Sequence, residues 1–263
     1  MAGSETLEGY PCNAEVRRLG SAIDGACENA LKNREKVAVA FSGGLDSALL
    51  AFLCARHSEV RLYVAGKPGC HDIAAAESAA KMLSLPLKKI EIERGGLLAA
   101  SERVASVVEN PAPIEIAVSV PLAYVCSSAA EKCVVTGTGA DELFGGYARY
   151  SRMPGGERLS AMQGDYERLK TRGAETENAI AALFGKCIIQ PYMCPSVEKA
   201  AREVEIGGHF WNGGRKTLLR AAALSCGLPS ELAMREKKAA QYGSGVARML
   251  SKASRNPEPR KSE

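Results

Sequence analysis

Three observations predict an α/β protein built on a doubly wound parallel sheet, with a helical C-terminal part. Short apolar runs alternate with stretches of helical apolar period up to about residue 136. The two loops richest in glycine, 42–47 and 137–146, each follow such a run, and beyond about residue 157 the patterning turns helical. Parallel neighbours require a crossover between strands, and ligands of such sheets gather at the carboxyl ends of the strands, where both loops fall. The 263 residues are 46% hydrophobic and 24% charged, enough for a full core, which excludes disordered, collagenous and coiled-coil chains.

The elements read in order as follows. Lys36–Phe41 is a buried strand running into Ser42-Gly43-Gly44, and 46–57 is a helix. Val60–Ala65 is a second strand, Asp72–Leu83 an alanine-rich helix ending before Pro86, and Leu87–Ile92 a third strand. Leu97–Val108 is a helix broken by Pro111 and Pro113, Ile114–Lys132 a helix with Pro121 as a kink, and Cys133–Thr136 a fourth strand. Helices are expected at 157–171, 175–185, 195–204, 215–226 and 244–253. Nothing near the middle reads as a linker, so residues 1–251 are expected to form one domain, with 252–263 as a charged, disordered tail.

The 34 basic and 30 acidic residues give a net charge of +4, but they are interspersed rather than striped, so nucleic acid binding is not indicated. Nine cysteines, odd in number and without CxxC spacing, read as buried free thiols of a reducing cytoplasm ahead of zinc ligands or disulfides. The start lacks a basic region followed by an apolar stretch, and no apolar run approaches the ~20 residues of a bilayer span. A cytoplasmic location away from membranes is expected.

Ser42-Gly43-Gly44-Leu45-Asp46-Ser47 lies between a strand and a helix. The two glycines let backbone amides turn toward an anion, the helix N-terminus adds its dipole, and the serines donate hydroxyls. A Walker A lysine is missing. An acid inside a phosphate loop makes sense when Mg²⁺ lies between Asp46 and the phosphate. The alternative, a Gly-Gly turn capped by Ser and Asp, suits most isolated SGG triplets but not the whole string after a buried strand. The string resembles the pyrophosphate-binding loop of the ATP pyrophosphatases, which implies a Rossmann-like fold of the adenine nucleotide alpha hydrolase type and cleavage of ATP between the α and β phosphates.

The second acidic loop, Thr136-Gly137-Thr138-Gly139-Ala140-Asp141-Glu142-Leu143-Phe144-Gly145-Gly146-Tyr147, leaves the fourth strand, so Asp141 is expected to face Asp46 across the mouth of the sheet. GADELFGGY after VVTG resembles the second signature of the asparagine synthetase family. Val64 to Ala76 is similar to that family's VGLPGSPDLxxA stretch. Lys216-Thr217-Leu218-Leu219-Arg220, then Leu228-Pro229 and Arg235-Glu236-Lys237, resemble its C-terminal pattern, with all blocks in family order from about 30 to 246. The resemblance implies ATP and Mg²⁺ as cofactors, pyrophosphate held by Ser42, Gly43, Gly44, Leu45, Asp46 and Ser47, and metal held by Asp46 and Asp141. Ala40, Ala65, Thr136 and Gly137 fall where members surround the adenosine. Lys237, or its neighbour Lys238, matches the catalytic lysine that neutralises charge on the α-phosphate, with Asp141 beside it.

The chain departs from the family on the acceptor side. Thr138 stands where TGEGADE has its glutamate; Gln190-Pro191-Tyr192-Met193-Cys194 replaces PFLD without its acid; and Thr176-Glu177-Asn178 replaces an RDD triplet. Position 2 is Ala2 and the phosphate loop arrives at residue 42, leaving no glutaminase in these residues. Nitrogen is then expected as free ammonium or from a separate glutaminase or amidotransferase subunit. Residues 147–156 are basic, aromatic and glycine-punctuated and read as a lid over the nucleotide, Trp211 as a packing anchor, and His57 as a partner of a helix C-terminus.

The leading expectation is an ATP-dependent, AMP-forming ligase that adenylates a small carboxylate and transfers the acyl group to ammonia or another amine. One competitor is a tRNA-modifying or sulfur-transfer ATPase using Cys70, Cys126 or Cys194. The other is a non-catalytic nucleotide-binding subunit. A homodimer is left open.

Overall fold

The computed structural model describes residue 10, residues 13–236 and residues 243–255. Five parallel strands, β1 (Lys36–Ala40), β2 (Glu59–Gly66), β3 (Leu87–Glu91), β4 (Cys133–Val135) and β5 (Cys187–Ile189), form one sheet in the order β3-β2-β1-β4-β5. The register sets Val37 beside Val60, Ala38 beside Val134 and Cys133 beside Cys187. The chain steps outward from β1 to β3 and then returns across β1 to β4. That reversal opens a crevice at the carboxyl ends of β1 and β4.

Alternation along β1 shows how the sheet is covered. Val37 and Val39 belong to one apolar layer and Ala38 to the other, and all three are fully buried. The first layer holds α1 (Asn13–Leu31), α2 (Leu45–Cys54), α3 (His71–Leu83), α9 (Pro195–Arg202) and α10 (Thr217–Ser225). The second holds α4 (Arg94–Ala105), α5 (Pro113–Ser128), α8 (Ala174–Ala182) and the last described helix, Val246–Arg255. Coverage of both faces is what a purely parallel sheet needs. Among the described residues, no helix is long and apolar enough to cross a membrane.

The fold class agrees with the expectation, while several local readings are corrected. Residues 187–189 add a fifth strand. α1 precedes the first strand and buries Val16, Leu19, Ile23, Cys27 and Leu31 along one stripe. α7 (Gly155–Arg168) runs through a wider turn at Leu169–Gly173 straight into α8, so 155–182 is one helical stretch. The last described helix passes the anticipated start of the tail at 252, and 256–263 lie outside the described residues. Cys133 and Cys187 are not free thiols. The register of β4 and β5 places them side by side, Cα atoms 4.7 Å apart, in a disulfide.

His209 sits under α6 (Ala140–Phe144), stacked on Phe144 with ring centroids 6.2 Å apart, and its Nε2 pairs with the Ala201 carbonyl at 3.2 Å. Burial pushes its pKa down to about 4, against an ordinary value of 6.5. The folded state therefore favours the neutral ring, and the stability this contributes is present above pH 6.5 and lost as the pH falls toward 4. Linkage gives a loss of about 2 kcal/mol between pH 7 and pH 5 from this group. Urea unfolding of wild type and His209→Gln at both pH values checks it: the difference in stability between the two proteins should narrow by about that amount at pH 5.

Candidate active site

The phosphate loop is shaped by close backbone approach. After β1 the chain turns at Gly43, whose φ is +72°, and a Cβ there would lie 2.5 Å from the Ala75 carbonyl carbon and oxygen in α3. Only glycine fits that contact. Ser42 Oγ accepts from the Gly44 amide at 3.4 Å, and Ser47 Oγ accepts from the Ser42 amide at 3.3 Å. Arg235 fastens the loop to α3, donating from Nη1 to the Gly43 and Ala75 carbonyls at 2.8 and 3.0 Å and from Nη2 to Ser78 Oγ at 3.3 Å. α2 begins at Leu45, so its N-terminal turn borders the same crevice.

Asp46 and Asp141 meet at one ammonium. Lys216 Nζ lies 2.6 and 2.7 Å from the two Asp46 oxygens and 2.7 Å from Asp141 Oδ1. The lysine is 3% exposed and takes φ +57° just before α10. Burial works to lower its pKa, but the Asp141 and Asp46 carboxylates outweigh burial and raise it, so the side chain stays charged. Two further contacts fix this arrangement. The hydroxyl of fully buried Tyr192 donates to the Asp46 carbonyl at 3.0 Å. Gly146 leaves room that a Cβ would fill, 1.8 Å from Asp141 Oδ1 and 2.3 Å from Lys216 Cε.

All six loop residues 42–47 line a cavity of about 330 Å³, together with Ala40, Ala65, Thr136, Gly137 and Asp141. That volume suits a small ligand or cofactor. Gly137 packs so close to Asp46 that a Cβ would stand 3.4 Å from the aspartate Cβ. Val118, Pro121, Leu122 and Val125 of α5 supply an apolar wall. On the same cavity Glu177 accepts from Thr136 Oγ1 at 2.8 Å, Thr138 Oγ1 at 2.6 Å and Gln190 Nε2 at 2.8 Å. Its carboxylate is held by three neutral donors.

Two carboxylates with an anion loop beside them form a hard-oxygen donor set of the kind Mg²⁺ takes, bound through one or two carboxylates with substrate phosphates completing the shell. That a cation already lies between them shows that the position favours positive charge.

Pattern reading missed Lys216, Glu177 and Arg235 as site residues, although each fell within a noted stretch. Lys237 and Lys238 lie outside the described residues. The lid is corrected: Tyr147 donates to Glu142 at 2.5 Å, Arg149 and buried Tyr150 bond Asp165, and none of 147–156 lines the cavity. His57 pairs with Asp24 at 2.9 Å, and Trp211 packs edge-on against Tyr10.

The Asparagine synthase family model matches residues 18–188, well over half of the chain. The chain belongs to the asparagine synthase family. It is 31% identical to a putative glutamine-hydrolysing asparagine synthetase of Methanocaldococcus jannaschii, over 89% of this chain and 51% of that protein. It is 29% identical to the asparagine synthetase of Asparagus officinalis over 59% of this chain and 28% of that one. The chain thus spans about half the length, or less, of these relatives. A solved structure of an NH3-dependent NAD synthetase from Campylobacter jejuni aligns over 94% of this chain and 99% of its own, at 16% identity and a TM-score of 0.41.

Gly43 offers a direct check on the loop. Gly43→Ala should cost about 2 kcal/mol or more, because it combines a left-handed backbone with a backbone clash. Gly25→Ala in α1, where nothing lies within 4 Å, should instead stabilise by about 0.5–1 kcal/mol. Thermal and urea unfolding of the two variants measures both signs.

Proposed function

We propose that the cleft binds ATP with Mg²⁺, adenylates a small carboxylate and passes the acyl group to ammonia or another amine. The observation that carries this is the meeting of Asp46 and Asp141 beside the 42–47 loop, an anion cradle and an acidic pair facing one cavity. A substrate carboxylate oxygen attacks the α-phosphorus of ATP, the α–β bond breaks and pyrophosphate leaves into the loop. The amine nitrogen then attacks the acyl carbon, AMP departs and the nitrogen loses a proton.

Such a reaction depends on placement and charge neutralisation. The loop amides and the α2 N-terminus receive the pyrophosphate end of ATP. Ala40, Ala65, Thr136 and Gly137 offer the small surfaces that a nucleoside needs. Mg²⁺, when bound by Asp46 and Asp141, supplies countercharge to the phosphates. Glu177 is the acceptor-side acid: its carboxylate takes the place vacated by a glutamate at 138, and it is available to hold the incoming ammonium or amine and receive its proton. Lys237 or Lys238 is proposed as the lysine facing the α-phosphate. Nitrogen arrives as ammonium or from a separate amidotransferase subunit, and the enzyme works in the cytoplasm. None of Cys70, Cys126 and Cys194 lines the cavity, which favours acyl transfer to nitrogen over sulfur transfer.

The test is a panel of carboxylates with ATP, Mg²⁺ and ammonium chloride, following AMP and pyrophosphate. One carboxylate should give turnover; no turnover across the panel and no carboxylate-dependent ATP–pyrophosphate exchange argues for a nucleotide-binding subunit. Asp46→Asn and Asp141→Asn should each lower pyrophosphate release by about 100-fold or more, the scale of lost transition-state charge stabilisation. Glu177→Gln should depress amide formation far more than it depresses exchange, because adenylation precedes the nitrogen step.

A further inference from the structure

The cleft holds a cation of its own where a divalent ion would go. Lys216 Nζ uses both oxygens of Asp46 and Oδ1 of Asp141, at 2.6 to 2.7 Å. The ammonium has little freedom to wander. Its residue is 3% exposed, its backbone is left-handed, and Gly146 lies against Cε so closely that a Cβ there would stand 2.3 Å away.

Magnesium bonds oxygen at about 2.1 Å and tolerates little departure from octahedral geometry. An ion that bridges both carboxylates must displace the ammonium from between them. A displaced Lys216 cannot remain buried without an anion, since a buried charge stripped of its partner is strongly unfavourable. The neighbouring guanidinium groups do not relieve this. Arg220 donates to the Ala233, Arg235 and Arg215 carbonyls, and Arg235 to the Gly43 and Ala75 carbonyls and Ser78. Besides the two carboxylates it bridges, Lys216 is felt by buried Glu142, which already accepts a hydrogen bond from Tyr147 at 2.5 Å. The position beside it that accepts an anion is the 42–47 loop.

We propose that Lys216 is a resident counter-cation that keeps free divalent ions out of the cleft and admits them only together with a polyphosphate, whose oxygens take over the ammonium. This rests on the reading of the cleft as a metal–nucleotide site. It goes beyond that reading in fixing an order: metal and nucleotide enter as one complex, and metal alone does not prepare the site. Lys216 is a positioning residue in this scheme, exchanging carboxylate partners for phosphate oxygens as the ligand arrives.

Manganese binding to the full chain, read by the electron paramagnetic resonance signal of free Mn²⁺ and by calorimetry, tests the order. Wild type should bind Mn²⁺ alone weakly and bind the preformed Mn²⁺ complex of α,β-methylene-ATP at least about tenfold more tightly. Lys216→Met should bind Mn²⁺ alone at least about tenfold more tightly than wild type, because two half-buried carboxylates lose their counter-cation. Adding Asp46→Asn to Lys216→Met should remove that gain, and Lys216→Arg should keep free Mn²⁺ out. Equal binding of Mn²⁺ alone to wild type and Lys216→Met overturns the proposal. Should Lys216→Met not fold, wild type decides: nucleotide-free protein that takes up Mn²⁺ as tightly as it takes the Mn²⁺–analogue complex overturns it, and a tenfold gap supports it. If Lys216→Met opens the cleft to Mn²⁺ while no carboxylate gives pyrophosphate, the synthetase reading fails and the counter-cation stands.

Discussion

The ion triad of Asp46, Lys216 and Asp141 is the constraint on which the rest of the site depends. It joins the start of α2, the start of α6 and the residue before α10, three segments far apart in the chain. Three charged groups at 2.6 to 2.7 Å, with the lysine 3% exposed, form an arrangement that cannot lose one member cheaply. Removal of one partner from a buried ion pair costs about 3–5 kcal/mol, whereas the intact set contributes little net stability over an apolar one. Its value is in specificity of position. Tyr192 holds the Asp46 backbone and Gly146 makes room for Lys216, so the elements around the triad are shaped to it.

The topological reversal between β1 and β4 explains why the triad forms there. Loops that leave adjacent strands in opposite winding directions separate and open a crevice, and those two loops lead into the helices whose first turns carry Asp46 and Asp141. The departures from the family pattern fall on the β4–β5 side of that crevice. Thr138 carries no acid, but Glu177 reaches it from α8 and accepts from its hydroxyl at 2.6 Å. Gln190, which begins the altered element after β5, donates to the same carboxylate. A carboxylate is therefore present at this wall, supplied by α8 rather than by the loop.

What was legible in the sequence follows from the range of each interaction. β1 and the 42–47 loop are local features, a short apolar run and a glycine pair, and periodicity with turn chemistry exposes them. Three-residue β5 is too short to show a period, and the helices expected separately at 157–171 and 175–185 run together through Leu169–Gly173. The stripe of α1 was readable at helical spacing and was passed over. Cys133 and Cys187 are 54 residues apart and become neighbours only through strand register. Lys216 and Glu177 were hidden for a different reason. A lone lysine or glutamate carries no local sign of burial, and its ordinary reading is a solvated charge.

The two halves of the cleft differ in how they tolerate change, and the difference is physical. On the side of the 42–47 loop, position is set by backbone contact: a Cβ at Gly43 would overlap Ala75, one at Gly146 would overlap Asp141, and the Gly43 carbonyl itself receives Arg235. Such contacts admit no substitute atoms. Around Glu177, position is set by side-chain hydrogen bonds, with Thr136, Thr138 and Gln190 converging on one carboxylate. Donors of that kind can be swapped as long as each buried lone pair still finds a proton. A fold built this way can keep the geometry of its glycine-rich loop while the wall around Glu177 is rearranged, because the triad rather than that wall holds the start of α2 to the start of α6.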